Sequence, residues 1–317
     1  MHSQNYRTRT KQHTYILGAS LIFSLAFFLH INGYSQPLDE SVSDSLQASQ
    51  TGELYQSLLW EINREDLKTP SYLYGTIHII PKDSFFLTPA VEEKLESTQH
   101  LVLEIPLDIN MGSMLSSAMA MMMPRGKSLK SLFEEDDYKR VTSFMRDSLE
   151  TPMPLYHMFK PIFISQHISS NYCNSSEQES YEMYFSQLFK NANKPVSGLE
   201  TINEQMKYLD QMTLEEQAEG LLETIKNPGA ACQQYTDMIR LYRKQDLNTL
   251  MKMMGESDEV GDHLDKLLDE RNKNWISQIE ALVAKESVFI AVGAGHLPGP
   301  NGVIELLRKQ GYKVTPL

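Results

Sequence analysis

Cysteine is scarce. The 317 residues hold only Cys173 and Cys232, and no C-x-x-C or comparable spacing exists. No metal-ligand cysteine spacing is thus present, and the pair is either one disulfide or two buried thiols. The common catalytic signatures are missing too: there is no G-x-S-x-G, no S-x-x-K and no H-E-x-x-H. Gly293, Gly295 and Gly299 carry one residue too many for G-x-G-x-x-G, and His296 occupies the turn, so phosphate binding there is a weak alternative. Positive charge is in short supply. The net charge is −12, and the first 35 residues hold Arg7, Arg9 and Lys11 with no acid, so the remainder carries −15. That acidity argues against nucleic acid and anionic membrane surfaces as partners.

What is present begins with those first residues. Three basic side chains, the apolar run from Tyr15 to Ile31 and the small residues Gly33 and Ser35 follow the layout of a signal peptide. The expected divisions are a signal peptide over 1–35, a flexible leader over 36–52 and one domain over 53–317. The expected location is periplasmic or extracellular, with membrane attachment only if the segment stays uncleaved. No cysteine follows the apolar run, so lipid attachment there is excluded.

Val288 to Val292 is a β-branched, aromatic run of the kind buried on both faces of a sheet, and it breaks into Gly293-Ala294-Gly295-His296. Ser71 to Ile79 reads as another strand and contains Gly75-Thr76-Ile77-His78. Two copies of G-x-x-H, each at the end of a strand-like run, place both imidazoles at one rim, where α/β sheets bind ligands. Leu58 to Glu65 predicts an antiparallel partner for Ser71 to Ile79, and Thr88-Pro89 opens a helix with Val91 and Leu95 on one face.

Charges in apolar company mark further candidates. Glu104 stands in the strand-like run HLVLEIPL, where a carboxylate costs several kcal/mol unless paired. Glu200 follows the short strand-like KPVSGL and precedes a capping box at Thr201 and Glu204; a helix-start carboxylate explains it as well as a site role does. Asp262 to Lys285 reads as a regular helix whose stripe of Leu264, Leu267, Leu268, Trp275, Ile279 and Leu282 includes Arg271. A guanidinium on that line needs anionic partners, and Glu104 and Glu200 are the expected ones. Helical patterns are expected over Glu134 to Leu149, Leu155 to Cys173, Glu177 to Lys190 and Ile202 to Ile225, broken by Pro152, Pro154 and Thr213. The Met-rich stretch from Ile109 to Gly126 reads as ordinary helix packing or, alternatively, a lid.

Two histidines and one or two carboxylates at strand ends suit a divalent ion such as Mn, Co or Zn, with a spare carboxylate to take a proton and Arg271 to hold a substrate carboxylate or oxyanion. Without metal the same groups remain a histidine base with orienting acids.

LLWEI at Leu58 to Ile62, SYLYGTIH, LVLE, GLETINEQ, ERNKNW, VGAGHLPGPNGVIELL and GYKV together resemble the TraB/PrgY/GumN family, which includes the Tiki proteases. The likeness runs from Leu58 to Leu317. It implies metal ligands at His78, Glu104 and His296, a Mn- or Co-dependent protease activity, and a fold similar to erythromycin esterase. It assigns no role to Glu200 or Arg271, which stand as catalytic candidates on the residue reading alone. The expected architecture is α/β, with a small central mixed sheet, flanking helices and a large helical insertion after Glu104. The expected function is a metal-dependent hydrolase of peptide or amide bonds acting on a peptide or small molecule. The alternative is a protein of the same fold that sequesters such a ligand without turnover.

Overall fold

In the computed structural model the described residues are 55–107, 111–149, 156–173, 176–256 and 263–317. The signal-peptide and leader expectations lie outside them. The architecture is mixed α/β, with a six-stranded sheet, a separate two-stranded sheet and eleven α-helices among the described residues.

The large sheet runs β6-β4-β7-β2-β1-β8. Its strands are β1 (Leu59–Asn63), β2 (Ser71–Thr76), β4 (His100–Leu103), β6 (Val196–Gly198), β7 (Val288–Gly293) and β8 (Lys313–Pro316). The neighbours β6, β4, β7 and β2 are mutually parallel, while β1 is antiparallel to both β2 and β8. β2 and β7 pair in register, Gly75 opposite Val292 and Thr76 opposite Gly293. The two G-x-x-H segments therefore leave adjacent strands at the same level. β2, β4 and β7 are buried along their whole length, which accounts for apolar runs without polar alternation.

Most of the insertion is helical. Between β4 and β7 lie α2 (Met111–Ala120), α3 (Glu135–Leu149), α4 (Pro161–Tyr172), α5 (Tyr181–Asn191), α6 (Ile202–Leu209), α7 (Leu214–Lys226), α8 (Pro228–Arg243), α9 (Leu247–Gly255) and α10 (Arg271–Val283). Helix α1 (Pro89–Ser97) precedes β4, and α11 (Val303–Lys309) precedes β8. The expected caps form: Thr88 accepts from Val91 N–H, and Thr201 and Glu204 close a capping box. Gly311, just past α11, takes a left-handed φ of 85°. Cys173 and Cys232 form a disulfide. Met121 and Met123 are buried, as ordinary packing requires, while Met119 and Leu115 on α2 face solvent.

Four expectations need correction. Ser71 to Ile79 is not one strand: β2 stops at Thr76, His78 adopts φ 56°, and β3 (Ile79–Pro81) starts a second sheet with β5 (Gln178–Ser180). The helix expected from Glu177 begins only at Tyr181, because Gln178 to Ser180 is claimed by β3. The helix expected from Leu155 begins at Pro161, where proline suits the first turn. The long helix expected before Lys285 is not regular. Its described part contains a π-helical segment, Asp265–Glu270, and continues as α10.

Candidate active site

The carboxyl ends of four adjacent parallel strands converge. Glu200 follows β6 by two residues, Glu104 follows β4 directly, His296 ends the 3-10 turn after β7, and His78 follows β2 by two residues. All four are buried, and so is Arg271 at the start of α10. The structure thus brings together all five residues singled out in the sequence.

Glu104 sits at the centre. Its Oε1 accepts the Gly293 N–H at 2.6 Å and lies 3.8 Å from His78 Nε2 and 3.6 Å from His296 Nε2. Its Oε2 accepts from Arg271 Nη2 at 2.6 Å and Gln205 Nε2 at 3.1 Å. Arg271 also binds Glu200, Nη2 to Oε1 at 2.6 Å and Nε to Oε1 at 3.1 Å, and its plane lies 4.9 Å from the Trp275 ring. Glu200 takes the Trp275 indole N–H at 3.2 Å. Both expected partners of Arg271 are therefore present.

Gly293 makes the convergence possible. A Cβ on it would lie 3.1 Å from His78 Nε2, 3.2 Å from Glu104 Oε1 and 3.5 Å from His296 Cδ2. The space that any other residue would fill is the space on which the three side chains close.

Each imidazole is held from behind. His78 Nδ1 lies 2.7 Å from Glu182 Oε1, which also accepts the Thr76 hydroxyl at 2.5 Å; the Ser180 hydroxyl donates to the other oxygen at 3.2 Å. The β3–β5 pairing sets Ser180 opposite Ile79 and so delivers Glu182, two residues on, to His78. His296 Nδ1 lies 2.7 Å from Asn272 Oδ1. The Asn272 amide nitrogen donates to the Asn301 carbonyl at 2.9 Å and the His296 carbonyl at 3.4 Å, so its oxygen faces the ring and His296 Nδ1 carries the proton. Asn272 and Gln205 sit beside singled-out residues, Asn272 directly after Arg271 and Gln205 five after Glu200. Glu182 carried no comparable sign. An acid in the first turn of a helix is ordinary, and its partner is 104 positions away.

The electrostatics split like groups apart. Burial opposes ionisation of Glu104, but Arg271 and then the two imidazoles outweigh it and hold its pKa well below the carboxylate range. Burial wins at Glu200, with the charge of Glu104 adding to it, and its pKa is raised despite Arg271. Burial opposes protonation of His78, yet Glu182 overrides it and the pKa rises. Burial, then the charge of Arg271, pushes His296 down to about 3.

The donor set fits a divalent ion in kind. Two imidazoles have Nδ1 tied to acceptors, and both Nε2 atoms face one carboxylate oxygen, the usual outer arrangement of a histidine metal site. It is not a ready-made cage: among the described residues no group of three ligating side chains stands at metal spacing. The reason is visible at His296, whose Nε2 accepts from Arg271 Nη1 at 3.1 Å.

The other described histidines lie apart from this cluster. His100 starts β4, at the opposite end of the sheet, between Glu286 and Ser197. His157 meets Tyr138, and His167 on α4 is buried beside Asn171.

Metalloprotease TIKI2 of Danio rerio is 24% identical, covering 81% of this chain and 60% of its own length. Metalloprotease TIKI1 of Xenopus tropicalis is 24% identical, with 81% and 61% covered, and TIKI1 of Homo sapiens is 22% identical, with 81% and 61% covered. The chain thus spans about three fifths of the length of these curated relatives. No solved structure matches it. The TraB/PrgY/gumN family model matches residues 58–316, and this chain belongs to that family.

Proposed function

We propose that the protein is a metal-dependent hydrolase acting on peptide or amide bonds, with His78, Glu104 and His296 as metal ligands. The observation that carries this reading is the meeting of two imidazole Nε2 atoms at Glu104 Oε1, at 3.8 and 3.6 Å, over a glycine that leaves room for nothing larger. The metalloprotease names of the TIKI relatives support the reaction class. A buried ionic cluster adds a second argument. Replacing such a cluster with well-packed apolar residues is often neutral or stabilising, so Glu104, Glu200 and Arg271 are poorly explained by stability alone.

His78, Glu104 and His296 would hold a divalent ion, which would supply Lewis-acid polarisation of the scissile carbonyl and a lowered pKa for water. The chain's own groups do the rest. Glu182 and Asn272 fix the ring orientations. Glu104 stays anionic. Glu200, with its raised pKa, is the carboxylate best suited to hold a proton, and accepting one weakens its grip on Arg271. Arg271 offers fixed positive charge to a developing oxyanion. Trp275 closes one side, its ring 4.5 Å from that of His296.

The Cys173–Cys232 disulfide supports an oxidising compartment and hence export. Among the described residues no helix is long and apolar enough to cross a membrane.

The test is metal analysis and peptide-library turnover of the purified chain beside His78→Ala and His296→Ala. Stoichiometric metal and turnover are expected in the parent, with both lost in the variants. Equal metal in all three removes the ligand assignment, and tight peptide binding without products turns the reading to sequestration.

A further inference from the structure

We propose that the Arg271 guanidinium is a placeholder cation, occupying in the metal-free chain the lone pair of His296 and the charge of Glu104 that a divalent ion takes on loading. This rests on the metal reading above and concerns how the ion gains entry.

The hydrogen-bond inventory makes an exchange obligatory. Asn272 is oriented by two backbone carbonyls, so it accepts from His296 Nδ1, and the ring's one remaining lone pair is on Nε2. Arg271 Nη1 donates to that lone pair at 3.1 Å. An imidazole nitrogen cannot accept a guanidinium proton and ligate a metal at once. His78 differs: its Nδ1 is held by Glu182, and its Nε2 faces Glu104 Oε1.

Arg271 is built to be held when it lets go. Its Nη1 also donates to the Leu267 carbonyl at 2.9 Å, and its Nε and Nη2 both reach Glu200. Giving up His296 and Glu104 leaves three of these contacts in place. The residue follows directly on the π-helical segment Asp265–Glu270, and such segments inside helices are frequent at functional sites. The charges also balance. Glu104, Glu200 and Arg271 sum to one negative charge, so a divalent ion arriving at Glu104 repels Arg271 toward the acid that remains. Affinity for the ion is then the difference between its own bonds and those of Arg271.

The consequence is counterintuitive, since removing a cationic residue from the heart of the site strengthens cation binding. The experiment uses the metal-stripped full chain and titrates Mn²⁺ and Zn²⁺ by calorimetry. The double variant Arg271→Met/Glu200→Gln keeps the cluster at one negative charge, so it tests displacement rather than bulk charge. It is expected to bind the ion about ten- to a hundredfold tighter than the parent, the worth of one or two charge-assisted hydrogen bonds. Arg271→Lys, which cannot span His296, Glu104 and Glu200 together, is expected to bind more tightly than the parent by a smaller factor, and it stands in should the double variant not fold. A second readout comes from Trp275, one of two tryptophans, which contacts both Arg271 and Glu200. In Trp60→Phe, Zn²⁺ should change its emission along the calorimetric isotherm, and much less so once Arg271 is methionine. Parent and variants loading with equal affinity, or variants binding more weakly, overturns the placeholder while leaving the metal site standing. No binding by any of them overturns the metal reading itself.

Discussion

His78 leaves β2 in a left-handed conformation and leans on an anionic anchor, Glu182; His296 leaves β7 in a 3-10 turn and leans on a neutral one, Asn272. The G-x-x-H pattern is the same and the strands are in register. The protonation behaviour is opposite, raised at His78 and pushed down to about 3 at His296. A local motif places a ring at a sheet's edge. Glu182 overrides burial at the first ring, while burial and then the charge of Arg271 push the second one down.

Acid unfolding should separate the two most strongly. His296 has a folded pKa far below the unfolded value of ~6.5, so its stabilising share is complete above that value and is lost as pH falls toward 3. His167, pushed to about 4 by burial alone, behaves likewise. Each contributes roughly 3 kcal/mol to the stability difference between pH 7 and pH 4. His78 runs the other way: its share is complete below ~6.5 and fades as pH rises through its raised folded pKa. In urea unfolding, His296→Gln and His167→Gln should each shrink the difference between the two pH values by that amount, and His78→Gln should not. A pH dependence unchanged in His296→Gln would break the comparison at its root.

The anchors come next. Glu182→Gln should lower metal affinity and turnover by about 10- to 100-fold, and a ring-proton titration should show the His78 pKa falling. Asn272→Asp should move His296 upward. If His78 titrates identically with glutamine behind it, the charge of the anchor is idle. Smaller still are the two glycines. A Cβ on Gly75 would sit 3.1 Å from the Ala294 Cα, pressing the first motif on the second, whereas one on Gly293 would press on His78 and Glu104 themselves. Each alanine should cost about 1–2 kcal/mol in thermal unfolding, but only Gly293→Ala should also weaken metal binding. Smallest is Thr76→Val, which deletes one hydrogen bond to Glu182 and should cost about 1 kcal/mol; Ala294 offers no equivalent hydroxyl.

The parts legible in the sequence were those where a polar residue offends an apolar pattern. Glu104 in a buried run and Arg271 on a core-facing stripe both stood out because burial without a partner is costly, and they partner each other. The strands β2 and β7 were plain because both faces are buried. What stayed hidden was tertiary. Gln178 to Ser180 has no alternating apolar pattern and is a strand only because β3 lies beside it. Glu182 looks like any first-turn acid. The π-helical segment leaves no mark, since Leu264, Leu267 and Leu268 suit either helix. The left-handed turn at His78 is invisible for a similar reason: it is imposed by the departure of the chain from one sheet to another.

The disulfide draws a ring through this site. Its closed loop runs from Cys173 to Cys232, 59 residues apart, and encircles Glu182, Glu200 and Gln205 while leaving both histidines, Glu104 and Arg271 outside. A crosslink of that span removes on the order of 4 kcal/mol of freedom from the unfolded chain. A reductant would therefore cost the whole fold about that much stability, the strands that carry the imidazoles included. The same polypeptide with both thiols reduced would keep its contacts around the histidines while resting on a smaller margin against unfolding.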